Sequence, residues 1–162
     1  MIHLSWIALI ALIAILMQRW LDQRHNPNRH PHIISNALGQ QELILQRNPY
    51  GHYVASGQVN GEEALFLLDT GATDVVIPAK LAERYQLEYG HPSQARTANG
   101  IVTVYSTTLK WVALGPIQLH NVRASINPHM DDEEILLGMS FLKHLNLRQH
   151  KDKLIISTPP AQ

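Results

Sequence analysis

Residues 6–17, WIALIALIAILM, are apolar without interruption. A helix built from them has no polar face, so no side of it is suited to water. Counted from Met1, the first 17 residues carry only His3 and Ser5 as polar interruptions. At 1.5 Å per residue such a helix reaches roughly 26 Å, close to the thickness of a bilayer core. Trp6 and Trp20 fall where interfacial aromatic residues sit, and Arg19 is placed to snorkel. A cleaved signal peptide needs a basic start and a small-residue cleavage site. This chain starts Met-Ile-His and leaves the apolar run through LMQRW. A helix buried in a soluble core normally shows polar positions. Residues 1–20 are therefore read as a single transmembrane anchor with the lipid bilayer as its partner, and a signal peptide as the alternative.

Residues 21–40, LDQRHNPNRHPHIISNALGQ, are rich in Asn, Pro, His and Arg. That composition predicts a juxtamembrane linker. Its cationic side chains could meet anionic head groups, but a solvated tether is the simpler reading. Lys+Arg and Asp+Glu both number 13, so the formal net charge is zero. That balance argues against nucleic acid as a partner. The absence of cysteine excludes disulfides, thiol catalysis and CxxC metal sites. The 10 histidines are scattered, with no HExxH or other tight ligand spacing, so neither a metal nor another cofactor is expected.

Residues 41–162 read as one folded domain. QELILQR runs into Asn48-Pro49-Tyr50-Gly51, a turn cluster, and HYVASGQV into Asn60-Gly61, a strong hairpin signal. EALFLLD, DVVIP, LKWVALG, IQLHNVRASI and KLIIS are further strand candidates. ARTANGIVTVYSTT places Asn99-Gly100 between two extended arms, a second hairpin. AKLAERYQL and GMSFLKHLNL have apolar residues at helical spacing, the latter with Phe141, Leu142 and Leu145 on one side. Many short strands with one or two short helices predict a small, mostly β, closed barrel-like domain. Asp131-Asp132-Glu133-Glu134 lacks the alternate spacing and glycine of a calcium loop and reads as a solvated acidic loop. Trp111 and Tyr105 read as core or edge residues. His120, His129 and His144 have no partner that would give them a role.

FLLDTGATDVVIP ends an apolar strand on a carboxylate, Asp69. A charge there is costly unless compensated. Two facing carboxylates that share one proton use it well. One acts as base on a water while the other, protonated, polarises a carbonyl. The turn after such an Asp must let two backbones and a substrate approach, and Gly71 meets that need. The Thr70 hydroxyl can supply a hydrogen bond that locks the turn. Asp-Thr-Gly alone is also an ordinary turn. Its apolar flanks and a second apolar-to-glycine junction, Leu136-Leu137-Gly138, strengthen the catalytic reading.

LLDTGATDVVIP followed by ILLGMSFL resembles the retropepsin-type aspartic proteases, in particular their bacterial membrane-anchored group, over residues 50–157. The resemblance implies the acid-protease (retropepsin) fold. It implies Asp69 as the catalytic residue, and an active-site loop of Thr70, Gly71, Ala72 and Thr73. Thr70 would join an interlocked pair across a dimer, and Gly71 would offer its backbone to substrate. Leu136, Leu137 and Gly138 would form the supporting loop, and Ala98, Asn99, Gly100 and Ile101 the flap. The chain departs from viral members in that Thr73 comes first and Asp74 one position later. No second Asp-Thr-Gly or Asp-Ser-Gly exists. One copy implies a homodimer in which Asp69 faces its symmetry mate.

The expected function is an aspartic endopeptidase acting on a peptide or protein substrate through a water held between the two copies of Asp69. A non-catalytic dimeric peptide-binding module of the same fold is the alternative, and a membrane-tethered structural domain a third reading. Arg19, Arg24 and Arg29 follow the anchor and favour a cytoplasmic domain by the positive-inside rule. The resemblance implies instead a single-pass protein of the bacterial inner membrane with a periplasmic protease domain, and this is the expectation adopted.

Overall fold

The computed structural model describes residues 2–36, 39–97 and 100–159. It opens with one long helix, α1 (Ile2–His25). The segment Trp6–His25 has a mean hydropathy of 1.3, and its apolar stretch is not buried by the rest of the described chain, so by length and composition it can cross a membrane.

The rest is mostly β. In chain order it contains β1 (His32–Ser35), β2 (Gln41–Gln46), β3 (Val54–Val59), β4 (Glu62–Leu68), β5 (Val75–Pro78) and α2 (Ala79–Arg84). There follow β6 (Pro92–Thr97), β7 (Gly100–Leu114), β8 (Ile117–Asn127), β9 (Glu134–Leu137), α3 (Met139–Leu142), β10 (Asn146–His150) and β11 (Lys153–Ser157). The larger sheet runs β3-β4-β9-β5-β8-β7-β6, and β3 also pairs with β7. That extra pairing, Gln58 opposite Ala113 and Val59 opposite Val112, closes six strands into a ring and leaves β6 outside it. The expected barrel is present. Alternate residues of the strands fill it: Phe66, Ile77, Leu109, Leu114, Ile126, Ile135 and Leu137 are fully buried. The β3–β4 turn falls at Asn60-Gly61 as predicted, both with positive φ (53° and 98°), the requirement of a two-residue hairpin turn of this hand.

A second, antiparallel sheet has the order β1-β2-β11-β10. Here the structure departs from the sequence reading. The helix expected over GMSFLKHLNL stops at Leu142, and NLRQH is a strand, β10, paired throughout with β11. All five β10 residues are exposed. With no buried face the segment carries no alternating pattern, and its backbone pairing comes from β11 alone.

The stretch read as a tether also contributes structure. Asn26 and Asn28 are buried, and β1 lengthens the second sheet beside β2. In the β6–β7 hairpin, Thr97 pairs with Gly100. Gly100, at φ 117°, is thus the first residue of β7 and not the second residue of a two-residue turn. Ala98 and Asn99, assigned to the flap, lie outside the described residues.

Candidate active site

Asp69 follows the last residue of β4. That strand runs parallel to β9, with Leu68 opposite Leu137. The Asp69 N–H donates to the Leu137 carbonyl at 3.2 Å, and the Leu68 N–H donates to the Tyr53 carbonyl at 3.0 Å. The chain then turns at once: the Ala72 N–H donates to the Asp69 carbonyl at 3.3 Å. Within this turn the Gly71 N–H donates to Asp69 Oδ1 at 2.8 Å. One carboxylate oxygen is therefore fixed by backbone, an arrangement that holds the group at one angle. Asp69 is half-buried, while Thr70, Gly71 and Thr73 are exposed. Among the described residues no hydrogen bond holds the Thr70 side chain, and the bond that fixes the turn is the one from the Gly71 N–H.

The Leu136-Leu137-Gly138 segment lies directly against this turn. Leu137 is buried, and Gly138 marks the start of α3. A methyl group at Gly138 would stand 2.1 Å from the Asp74 carbonyl oxygen and 2.7 Å from that of Ala72. Only glycine allows the approach. Past it, the Met139 N–H donates to the Ala72 carbonyl at 2.8 Å and the Ser140 N–H to the Thr73 carbonyl at 2.9 Å. Residues 69–73 and 136–138 thus form one bonded unit.

Beside this unit, the sequence reading missed Ser140 and the partner of Asp74. Ser140 is buried; its hydroxyl accepts from the Val75 N–H at 2.9 Å and donates to the Arg123 carbonyl at 2.7 Å. It ties the chain just after residues 69–73 to β8. A lone hydroxyl inside LLGMSFL was the available signal. Asp74 is held by Arg123, whose Nε donates to Oδ1 at 2.6 Å.

Gly100 and Ile101 stand apart, on the β6–β7 hairpin. Ile101 is 62% exposed, an apolar side chain without cover. Among the described residues no hydrogen bond joins it to the Asp69 turn. Two clefts, of about 830 and 950 Å³, are lined respectively by the end of α1 with β3 and α2, and by residues 84–90 with β7; neither includes any residue of the Asp69 turn. Among the described residues no three His, Asp or Glu side chains are gathered to hold a metal. Glu134, from the acidic run, pairs instead with His25. Tyr85, beside α2, has its phenol pushed above the usual tyrosine range, chiefly by burial.

Chemically, the turn presents one carboxylate with one oxygen held by a backbone N–H. A single carboxylate cannot be deprotonated toward water and protonated toward a carbonyl at once.

A family model described as gag-polyprotein putative aspartyl protease matches residues 55–144. Among curated proteins, the chain is 32% identical over 120 residues to an uncharacterized protein in the cobV 5′ region of a Sinorhizobium species, covering 72% of this chain and 52% of that protein. It is 29% identical over 120 residues to an uncharacterized protein of Rickettsia prowazekii (strain Madrid E), covering 72% and 51% respectively. The chain spans about half the length of these curated relatives. Among solved structures, it is similar to a retropepsin-like aspartic protease from Rickettsia conorii, with a TM-score of 0.60 and 29% identity, covering 72% of this chain and 89% of that one.

Proposed function

The chain belongs to the gag-polyprotein aspartyl protease family and has the retropepsin-like fold, and on that premise we propose that it is an aspartic endopeptidase. Family and fold support a protease-type function. The observation that carries the finer reading is the Asp69 carboxylate, fixed by the Gly71 N–H and braced through Gly138, with no second copy of its motif in the chain. Two chains related by a twofold axis supply the missing carboxylate. One Asp69 takes a proton from water, which attacks the scissile carbonyl. Its mate donates a proton to the carbonyl oxygen, and the tetrahedral intermediate collapses with the proton passing to the leaving nitrogen. Thr70, exposed and with no side-chain hydrogen bond among the described residues, meets the partner's turn. Gly71, Ala72 and Thr73 line the floor. Ala98, Asn99, Gly100 and Ile101 act as a flap over the bound peptide. Leu136, Leu137 and Gly138 keep the turn in place.

In this reading α1 anchors the dimer in a bacterial inner membrane with the protease domain on the periplasmic side. Digestion of the domain by added proteinase K in intact spheroplasts is the expected result; protection until lysis would put it in the cytoplasm. The catalytic assignment is tested with the full chain in detergent against a peptide library. Asp69→Asn should abolish cleavage without lowering the melting temperature. Wild-type cleavage by that variant would remove Asp69 from the mechanism. Binding of peptides without any turnover by the native protein would favour a binding module instead.

A further inference from the structure

We propose that the substrates are juxtamembrane segments of other membrane-inserted proteins, because α1 is docked onto the domain in a way that holds Asp69 at a short, fixed height above the bilayer. This rests on the endopeptidase reading and on α1 as the anchor.

The apolar run of α1 ends before Trp20, whose ring lies under the Arg24 guanidinium at 4.6 Å. An aromatic ring with a cation over it suits the interface. The helix continues to His25, five residues further, or about 7.5 Å. From there the chain is clamped. Asn48 Nδ2 donates to the His25 carbonyl at 3.0 Å, and the His25 ring pairs with Glu134 at the start of β9. Asn26 Nδ2 donates to Ser56 Oγ at 2.9 Å. Asn28, 3% exposed, is bonded on both sides of its amide. Its Nδ2 donates to the Gln46 and Val54 carbonyls at 2.9 and 2.7 Å, and its Oδ1 accepts from the Gln46 N–H at 2.6 Å. A free tether would leave these asparagines in water. Here one side chain stitches β2 to β3, and its removal would orphan buried backbone groups.

Two paths run from this junction to Asp69. Glu134 is three residues before Leu137, about 10 Å along β9, and the Leu137 carbonyl accepts from the Asp69 N–H. Val54, bonded to Asn28, stands opposite Leu67, two residues or about 7 Å before Asp69. Asp69 is therefore within about 20 Å of His25 and within about 30 Å of the level of Trp20. That bounds the height of the site from above, and an extended peptide covers about 30 Å in about nine residues. A substrate anchored in the same bilayer meets the site at high effective concentration when its scissile bond is near that spacing, and at a lower one as the spacing grows.

The test uses the full chain in proteoliposomes. Its substrates are single-span model proteins carrying one library-selected cleavage sequence at about 3, 6, 9, 12, 15, 20 and 40 residues from the span. Cleavage should be highest within about nine residues and fall several-fold by about 40. A helical insert of seven residues after Leu21 raises the domain by about 10 Å with little rotation. It should move the optimum outward by about three residues and leave cleavage of the soluble peptide unchanged. A flat profile, or an optimum the insert does not move, overturns the proposal if the soluble peptide is still cut. Failure to cut either substrate overturns the reading of Asp69 itself, and this proposal with it.

Discussion

Gly138→Ala is the perturbation that tests the architecture of the site most directly. Gly138 has φ −88° and ψ −171°, ordinary extended backbone that alanine adopts freely, so the substitution brings no conformational strain of its own. Its effect is contact alone. The added methyl would lie 2.1 Å from the Asp74 carbonyl oxygen and 2.7 Å from that of Ala72, against a comfortable separation of about 3.5 Å. The active-site loop has to withdraw by about 1 Å or more. Two hydrogen bonds oppose this, Met139 N–H to Ala72 and Ser140 N–H to Thr73. Overpacking of this kind costs about 1–3 kcal/mol, and each stretched bond about 1 kcal/mol more. The expected loss is about 3–5 kcal/mol, a large share of the 5–15 kcal/mol that typically holds a domain together. Urea unfolding followed by circular dichroism reads it as a lower midpoint at unchanged slope. Turnover should fall further than stability does, by about 100-fold, since a displacement of 1 Å at a reacting group has that order of effect. A Gly138→Ala protein within about 0.5 kcal/mol of wild type that cleaves at the native rate would refute the close approach and the bracing role together.

Ser140→Ala should cost about 1–3 kcal/mol by stranding the buried Val75 N–H, read as a urea midpoint; an unchanged midpoint would mean that the hydroxyl bridge is dispensable. Thr70→Val should leave the stability of one chain within about 0.5 kcal/mol yet weaken self-association, measured by sedimentation across a dilution series. Equal association by both proteins would remove Thr70 from the interface. Gly100→Val forces a β-branched residue to φ 117° and should lower the melting temperature through about 1–3 kcal/mol of backbone strain while slowing turnover several-fold at temperatures where the variant is fully folded; an unchanged rate there would argue that the β6–β7 hairpin is no lid. Tyr85 donates its hydroxyl to the Glu63 carbonyl at 2.8 Å. Because its folded-state pKa is raised, the folded chain holds the proton more tightly than the unfolded one. Native stability is therefore full below about pH 10 and declines as pH rises through the raised value. Tyr85→Phe should lose that alkaline decline while costing about 1 kcal/mol at neutral pH; identical pH profiles would contradict the burial effect.

What the chain declares by itself is what depends on neighbours in sequence. Residues 6–17 can be read as an apolar helix because no partner is needed to see that every face is greasy. Asn60-Gly61 announces its turn because the positive φ angles are a property of those two residues. Asp69 at the end of an apolar strand, and Gly138 at the end of another, are legible as junctions for the same local reason. That these two junctions touch is decided by the parallel pairing of β4 with β9, elements about 70 residues apart in sequence, and no local pattern encodes it. The same holds for β10, whose polar residues form a strand only because β11 lies alongside. It holds for Ser140, whose hydroxyl gains its role from Val75 and Arg123. Asn26 and Asn28 show the contrast most sharply. Asparagine beside proline reads as a solvated linker, since the free side chain prefers water to an apolar core. Only the tertiary structure supplies the Gln46, Val54 and Ser56 partners that replace the lost water and turn a tether into a joint.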